Sequence, residues 1–194
     1  MPSTVDAVAV FCGSRFGKNP LDKQAAQDVG QTLAKAGIRL VYGGGAHGLM
    51  GVVADATLSA GGVVTGVIPD FLESREKMHE GVAELIVTDS MHTRKQIMFS
   101  RADAFWILPG GFGTFDEMME ILTWKQLGRH SKPIMLINVA NWADTLLAAL
   151  DAAVEQGFAA PTARTMIQAV PDIETALACS LSAEKSDKVA VEQL

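Results

Sequence analysis

Short apolar runs alternate with longer amphipathic stretches along most of this chain, and that alternation constrains its fold more than any other feature. The first run, residues 5–12, is short, rich in valine and followed by a Gly-Ser turn, which is typical of a buried strand. Residues 21–36 then carry apolar side chains four positions apart and end at Gly37, which is typical of an amphipathic helix. Repeated units of this kind predict a parallel sheet with helices on both faces.

The same pattern continues along the chain and predicts a Rossmann-like, doubly wound α/β sheet of about six or seven strands. A polar stretch over residues 70–81 interrupts it, and we expect an irregular or short helical segment there. The length of 194 residues suits one domain, which we assign to residues 1–181, with a frayed tail over 182–194. The predicted strands cover residues 5–12, 38–42, 63–68, 83–88, 104–108, 133–138 and 166–170. The predicted helices cover residues 21–36, 49–60, about 90–101, 115–127, 142–156 and 173–181.

The composition limits what the chain can bind. Hydrophobic residues make up 48% of the chain and charged residues 20%, which excludes a disordered protein. Sixteen basic against 22 acidic residues give a net charge of −6, which argues against nucleic acid polymers and anionic membranes as partners. The apolar runs are far shorter than the ~20 residues of a membrane span, and no basic run precedes an apolar one at the N-terminus. We therefore expect a cytoplasmic protein, for which a small phosphate ligand stays possible.

Cysteine and histidine usage gives no sign of a metal site or a disulfide framework. Cys12 and Cys179 are far apart and each stands alone, which is typical of reduced packing residues. The four histidines are scattered, and neither C-x-x-C nor H-E-x-x-H occurs in the sequence. We therefore expect no structural metal.

Glycine clusters follow three of the predicted strands: Gly13 the first, residues 43–48 the second, and residues 110–113 the fifth. Ligands of such sheets bind beyond the carboxyl ends of the strands, so all three clusters fall on the expected edge. The cluster at 43–48 fits G-x-G-x-x-G, which indicates either a phosphate at a helix N-terminus or a tight turn with positive φ angles. A dinucleotide site also needs an acidic residue about 20 positions further on. The nearest is Asp70, beyond Pro69, which weakens that interpretation.

A second and more specific glycine loop covers residues 109–117, P-G-G-F-G-T-F-D-E. It leaves a strand and opens a helix that we predict to be capped at Thr114. Thr114 and Glu117 have the spacing of a capping box, so Glu117 either caps the helix or takes part in chemistry. Three glycines exceed what a cap needs, which indicates that a ligand approaches the backbone here.

A third segment, S-M-H-T-R-K at residues 90–95, opens the helix that precedes this loop. Arg94 and Lys95 fall in the first turns of that helix, where the helix dipole disfavours cations. Either an anion or a carboxylate stabilises them, or they form an exposed and solvated pair. The first alternative gains support because the loop with Glu117 leaves the adjoining strand end.

Together these segments resemble the LOG family, the Lonely Guy cytokinin-activating phosphoribohydrolases that are often labelled lysine decarboxylases. The shared motifs are Y-G-G-G-x-x-G-L-M-G, S-M-H-x-R-K and P-G-G-x-G-T-x-x-E, and the resemblance covers roughly residues 8–138. It implies hydrolysis of the N-glycosidic bond of a purine nucleoside 5′-monophosphate to a free base and ribose 5-phosphate. It also implies a homodimer or larger even-numbered assembly, with no metal and no other cofactor.

The resemblance assigns roles to individual residues. Arg94 and Glu117 correspond to the catalytic pair of the family. Glu117 would stabilise an oxocarbenium-like state, hold the ribose hydroxyls or activate water, and these alternatives stay open. The leaving base must be protonated or hydrogen-bonded, and the sequence does not identify the acid. The expected substrate-binding residues are Ser14, Gly44, Gly45, Glu76, Lys95, Gly111, Phe112, Gly113, Thr114 and Thr123.

Three other functions are compatible with parts of the sequence. A non-catalytic nucleotide sensor or carrier would share every glycine loop. A nicotinamide-dependent oxidoreductase would rest on G-x-G-x-x-G alone. A decarboxylase that uses pyridoxal phosphate would need a Schiff-base lysine, and the R-K motif explains Lys95 better.

The two helices that carry the last motifs are rich in large apolar residues, and the second is apolar on nearly every side. We expect part of this surface to form a symmetric dimer contact beside the site. The residues concerned are Met98 and Phe99 on the first helix and Met118, Met119, Ile121, Leu122, Trp124 and Leu127 on the second.

Overall fold

The computed structural model of the chain describes residues 5–72 and 81–183. Its strands are β1 (Ala7–Phe11), β2 (Arg39–Tyr42), β3 (Val64–Pro69), β4 (Glu84–Thr88), β5 (Ala104–Ile107), β6 (Ile134–Ile137) and β7 (Gln168–Val170). They form one sheet in the order β4-β3-β2-β1-β5-β6-β7, and every neighbouring pair is parallel. The predicted doubly wound, Rossmann-like sheet is confirmed.

Helices cover both faces of this sheet. One layer packs its apolar side chains against the face that holds Trp106, and the other packs against the face that holds Phe105. The first layer consists of α1 (Pro20–Lys35), α2 (Gly48–Ser59) and α7 (Ile173–Ser182). The second consists of α3 (Met91–Arg101), α4 (Phe112–Gln126) and α5 (Asp144–Glu155). The structure also contains a short helix α6 (Pro161–Arg164) and a 3-10 turn at Val139–Asn141.

The central strands are buried on both faces, which explains their unbroken apolar sequences. Neighbouring residues of β5 anchor the two helix layers, because successive side chains of a strand point to opposite faces. The indole of Trp106 is fully buried and donates a hydrogen bond of 2.9 Å to the Ser180 hydroxyl on α7. On the opposite face, the ring of Phe105 stacks on Phe11 and on Phe99 of α3.

The order of strand addition reverses between β1 and β5. The chain builds outward from β1 to β4 and then adds β5, β6 and β7 on the other side of β1. The loops that follow β1 and β5 therefore diverge at the carboxyl edge of the sheet and leave a crevice between them. The amide of Gly13 donates a hydrogen bond of 3.0 Å to the Pro109 carbonyl, which ties the two loops together.

The positions of the elements agree with the sequence prediction to within two residues, with three exceptions. Helix α4 begins at Phe112, three residues earlier than predicted, because Gly111 takes the extended N-cap conformation. The short helix α6 was not predicted, although Pro161 at its first position is a typical start signal. The predicted helix at 142–156 is preceded by a 3-10 turn, where Ala140 and Asn141 have positive φ angles.

Some expectations concern residues outside the described ranges. Residues 70–72 are helical, but the rest of the predicted excursion, including Glu76, and the tail from residue 184 onward are not described. Within residues 5–72 and 81–183, no helix is long and apolar enough to cross a membrane. The same ranges contain no group of three potential metal-binding side chains. The domain limits and the cytoplasmic location stay predictions.

Candidate functional site

A cavity of about 810 Å³ occupies the crevice between the loops that follow β1 and β5. Both helix layers contribute to it, since α1 and α2 line it from one face of the sheet and α3 and α4 from the other. It lies where ligands of doubly wound sheets bind. Its lining residues are Cys12, Gly13, Ser14, Arg15, Phe16, Gly17, Asp22, Leu49, Met50, Met91, Arg94, Pro109, Gly110, Gly111, Phe112, Gly113, Thr114, Glu117 and Trp142.

Arg94 is buried at the wall of this cavity, in the second turn of α3. Its Nε donates a hydrogen bond of 3.0 Å to the Val67 carbonyl, and Nη2 donates one of 3.3 Å to the Gly43 carbonyl. The third nitrogen, Nη1, lies 3.5 Å from Oε1 of Glu117. A guanidinium whose three nitrogens each contact a different partner is fixed in orientation. Arg94 is therefore not a solvated surface cation, and the carboxylate expected beside it is Glu117.

Glu117 is buried, and its position on α4 excludes the capping box. The N-cap of α4 is Gly111, so Thr114 is the third residue of the helix and not its cap. Glu117 therefore lies in the second turn, where its side chain cannot close the reciprocal pair of hydrogen bonds that the box requires. The predicted cap at Thr114 is wrong, and the helix start leaves Glu117 without that structural role.

Cys12 lies close enough to Glu117 for the carboxylate to affect its thiol. Burial, with a further contribution from the negative charge of Glu117, raises the pKa of Cys12 far above its ordinary range. The thiol stays protonated, so Cys12 is a packing residue and not a nucleophile.

In the glycine loop after β5, the space beside two of the three glycines is empty. A Cβ on Gly110 would collide with the Thr114 side chain, so this glycine serves packing within the loop. A Cβ on Gly111 or on Gly113 would meet no atom within 4 Å, and neither residue has a positive φ angle. Both line the cavity at the N-terminus of α4, whose first turn carries no acidic residue. Free amides at such an end are suited to an anion.

The glycine loop after β2 is closely packed instead. A Cβ on Gly43 would collide with the guanidinium of Arg94, and a Cβ on Gly48 would collide with the backbone of Ser14 and Arg15. Gly44 and Gly48 also have positive φ angles of 79° and 62°. Neither Gly44 nor Gly45 lines the cavity. Of the two alternatives for residues 43–48, the geometry favours the tight turn.

Lys95 points away from the cavity toward the flank of α4. Its Nζ lies 3.1 Å from Oδ2 of Asp116 and 3.0 Å from Oε2 of Glu120. Partial burial by itself would lower the pKa of Lys95, but hydrogen bonds and charge from the two carboxylates outweigh it and raise the pKa. Lys95 is a charged lysine with two partners.

The other predicted binding residues fall into three groups. Ser14, Gly111, Phe112, Gly113 and Thr114 line the cavity, and Phe112 is 92% exposed at its edge. Thr123 is exposed on α4 outside the cavity, and its hydroxyl donates a hydrogen bond of 2.7 Å to the Met119 carbonyl. Glu76 lies outside the described residues.

Sequence reasoning missed three notable lining residues: Phe16, Asp22 and Trp142. Phe16 and Asp22 follow β1, so the rule that selected Ser14 could have included them. Trp142 follows β6 and reaches the cavity beside Phe115, on which its ring stacks at 6.2 Å. No local signal in the sequence indicates that contact.

The chain is a Rossmann-like α/β protein. Its site combines a cavity at the switch point of the sheet, a buried arginine–glutamate pair and a glycine-rich helix N-terminus. A family model described as "Possible lysine decarboxylase" matches residues 50–179. The chain is 48% identical over 164 residues to a probable cytokinin riboside 5′-monophosphate phosphoribohydrolase LOGL5 from Oryza sativa subsp. japonica. That match covers 84% of this chain and 67% of the relative.

A second relative is the cytokinin riboside 5′-monophosphate phosphoribohydrolase LOG3 from Arabidopsis thaliana. It is 47% identical over 164 residues, which cover 84% of this chain and 76% of the relative. This chain belongs to the LOG family.

Solved structures confirm the fold. The Moco carrier protein from Chlamydomonas reinhardtii superposes with a TM-score of 0.67 at 22% identity, over 91% of this chain and 95% of that one. A molybdenum cofactor binding protein from Rippkaea orientalis superposes with a TM-score of 0.69 at 21% identity, with the same coverage of both chains. At these identities the likeness concerns the fold alone.

Proposed function

We propose that this chain hydrolyses the N-glycosidic bond of purine nucleoside 5′-monophosphates, giving a free base and ribose 5-phosphate. The observation that carries the proposal is the buried Arg94–Glu117 pair, which opens onto the same cavity as the unfilled backbone of Gly111 and Gly113. The names of the LOG relatives support the same activity.

The 5′-phosphate would bind at the N-terminus of α4. Gly111 and Gly113 let an anion approach the backbone closely, and the free amides of the first helical turn point toward it. Thr114 lines the cavity beside them, and its hydroxyl would be a further donor. Since α4 also carries Glu117 about one turn further on, a phosphate held here brings the ribose close to that carboxylate.

The reaction needs a negative charge beside the anomeric carbon. Cleavage of a ribosyl bond passes through an oxocarbenium-like state, which a nearby carboxylate stabilises. Glu117 supplies that charge, and Arg94 holds its side chain in place through a guanidinium that is itself anchored to two backbone carbonyls. Fixed charges of this kind need no reorganisation when charge develops on the substrate.

Decarboxylation through a Schiff base does not suit Lys95. A lysine that attacks a carbonyl must lose its proton, which a lowered pKa favours. The pair of carboxylates around Lys95 has the opposite effect on its pKa. Lys95 instead braces α3 against α4, the two helices that carry Arg94 and Glu117.

We propose that the chain forms a homodimer. Its contact surface is smaller than the apolar surface expected from the sequence. Most of the apolar residues expected at the contact belong to the core of the single chain, including Met98, Phe99, Met118, Ile121 and Leu122. Met119 and Leu127 are exposed, and Thr123 lies between them on the same stripe of α4. If Thr123 binds substrate, it does so across such an interface. Sedimentation that shows a fully active 20.6 kDa monomer at micromolar concentration would contradict the dimer.

Incubation with AMP and with isopentenyladenosine monophosphate, followed by chromatography, tests the proposed activity. We expect the free base and ribose 5-phosphate to appear in equal amounts from at least one of the two nucleotides. Tight binding of both nucleotides with no release of base would identify a sensor or carrier instead. Binding of NAD(H) but not of AMP would favour an oxidoreductase.

A further inference from the structure

Asp22 is a buried carboxylate inside the cavity that no described residue pairs with. It is 8% exposed and lines the cavity from the first turn of α1. Gly17, with a φ angle of 72°, passes beside it, and a Cβ there would lie 2.8 Å from Oδ2 of Asp22. Among residues 5–72 and 81–183, no hydrogen bond or ion pair to its carboxylate is found, and burial is the only influence on its pKa.

Helix stability does not account for this placement. Asp22 is the third residue of α1, where an acidic side chain can favour the helix dipole or reach back to the N-cap amide. The N-cap residue Asn19 already accepts a hydrogen bond of 3.0 Å from the Leu21 amide through its own side chain. An exposed aspartate would interact with the dipole equally well, so the dipole does not explain why Asp22 lies inside the cavity.

The two carboxylates of the cavity have opposite surroundings. Glu117 is paired with the guanidinium of Arg94, whereas Asp22 has no cation, and burial raises its pKa. The charged groups that face the same cavity are Arg15, Arg94 and Glu117, and neither arginine forms an ion pair with Asp22. Carboxylates whose environments differ in this way divide the roles of acid and base in glycoside hydrolysis.

We propose that Asp22 is the general acid that protonates the leaving base, an inference that rests on the proposed function. The bond between the anomeric carbon and the purine nitrogen breaks, and its electron pair goes to the base. Asp22 gives its carboxyl proton to a ring nitrogen of that base. A water oxygen bonds to the anomeric carbon, and the proton that this water loses restores the acid form of Asp22 through solvent.

The position of Asp22 suits this role, because α1 and α4 lie on opposite faces of the sheet. A phosphate at the N-terminus of α4 leaves the α1 side of the cavity to the base. Asp22 adds no positive charge at the N-terminus of α1, whereas the first turn of α4 carries no acidic residue, so the phosphate is favoured at α4 and the base at α1.

The test compares Asp22→Asn with the wild-type protein on two substrates. AMP needs a proton on its leaving base, whereas p-nitrophenyl ribofuranoside 5-phosphate releases a stable anion and needs none. We expect kcat on AMP to fall by about 10²-fold or more, with KM within about threefold, while kcat on the nitrophenyl substrate changes less than about threefold. Asp28→Asn on the same helix is the matched control, since Asp28 accepts a hydrogen bond from Gln24 and does not line the cavity.

Three outcomes would overturn the assignment. Equal losses on both substrates would make Asp22 a positioning or structural residue. A change in KM alone would make it a group that binds the base. Unchanged kinetics on AMP would exclude any role in the reaction. Wild-type protein that releases no base from any nucleoside monophosphate would contradict the proposed function itself, and the assignment of Asp22 with it.

Discussion

The two glycine loops of this chain look alike in sequence but differ in what surrounds each missing Cβ. At residues 43–48, the space beside Gly43 is taken by Arg94 and Met50, and that beside Gly48 by the backbone after β1. At residues 110–113, the space beside Gly111 and Gly113 is empty and opens onto the cavity. The first loop therefore needs glycine for the protein's own packing, whereas packing among the described residues does not require glycine at positions 111 and 113 of the second.

This difference separates two roles that the pattern G-x-G-x-x-G by itself does not distinguish: a loop that binds a ligand and a tight turn that packs against its own neighbours. A glycine pattern after a strand is compatible with a dinucleotide site, yet here the matching loop is closed by its own neighbours. Its contribution to the site is indirect, because the Gly43 carbonyl accepts a hydrogen bond from Arg94. Residues 43–48 thus support the arginine, while we propose that residues 110–113 receive the substrate.

Of the substitutions that test these roles of the two loops, Glu117→Gln has the largest expected effect on catalysis. Glutamine keeps the size of the side chain but cannot oppose a developing positive charge or take a proton. We expect kcat on AMP to fall by about 10²–10⁴-fold, and the free energy of unfolding to change by no more than about 2 kcal/mol. Steady-state kinetics and urea unfolding measure the two quantities.

The control for this substitution is Glu155→Gln, on the exposed surface of α5. Glu120, although closer, is unsuitable because it pairs with Lys95. Normal turnover of AMP by Glu117→Gln would remove Glu117 from the chemistry and leave the second loop without a catalytic partner.

Gly48→Ala tests the packing of the first loop. A side chain at a φ angle of 62° costs about 1–2 kcal/mol, and the collision with the backbone of Ser14 and Arg15 costs a further ~1–3 kcal/mol. We therefore expect the free energy of unfolding to fall by about 3 kcal/mol. A variant with wild-type stability in chemical denaturation would show that the first loop is less constrained than its geometry indicates.

Arg94→Lys tests the link between the two loops. Lysine cannot donate to the Val67 carbonyl, the Gly43 carbonyl and Glu117 from one planar group. We expect kcat/KM on AMP to fall by about 10²-fold or more, equivalent to about 2.7 kcal/mol of transition-state stabilisation. Kinetics like those of the wild type would return Arg94 to a purely structural role.

Gly113→Ala has the smallest expected effect and contrasts most directly with Gly48→Ala. The new Cβ meets no protein atom within 4 Å, and alanine favours a helix over glycine. The free energy of unfolding should stay the same or rise by up to about 1 kcal/mol, while KM for AMP rises by about 10-fold because a methyl group occupies the approach of the phosphate. A fall in stability with unchanged KM would reverse the roles that we give to the two loops.

Much of this organisation could be predicted from the sequence because strands and helices have different periods. The alternation predicted the order of the elements, and the position of the glycines after strands predicted the edge that carries the cavity. The motifs paired Arg94 with a carboxylate on the next helix, and the structure brings Arg94 and Glu117 within 3.5 Å.

The remaining features depend on contacts between distant segments. The start of α4 is three residues earlier than the capping pattern predicts, because glycine at position 111 caps the helix without a side chain. The carboxylates beside Lys95 come from another helix, 21 and 25 residues further along the chain. The burial of Asp22 likewise depends on the loop around Gly17, and no periodicity marks it.

The most direct test of the central claim compares release of adenine by the wild-type protein from AMP and from adenosine. If the second glycine loop holds the 5′-phosphate, kcat/KM for AMP should exceed that for adenosine by about 10³-fold. Several charge-assisted hydrogen bonds to phosphate contribute about 4 kcal/mol, which corresponds to that ratio. Equal rates on the two substrates would contradict a phosphate site at the N-terminus of α4 and the account built on it.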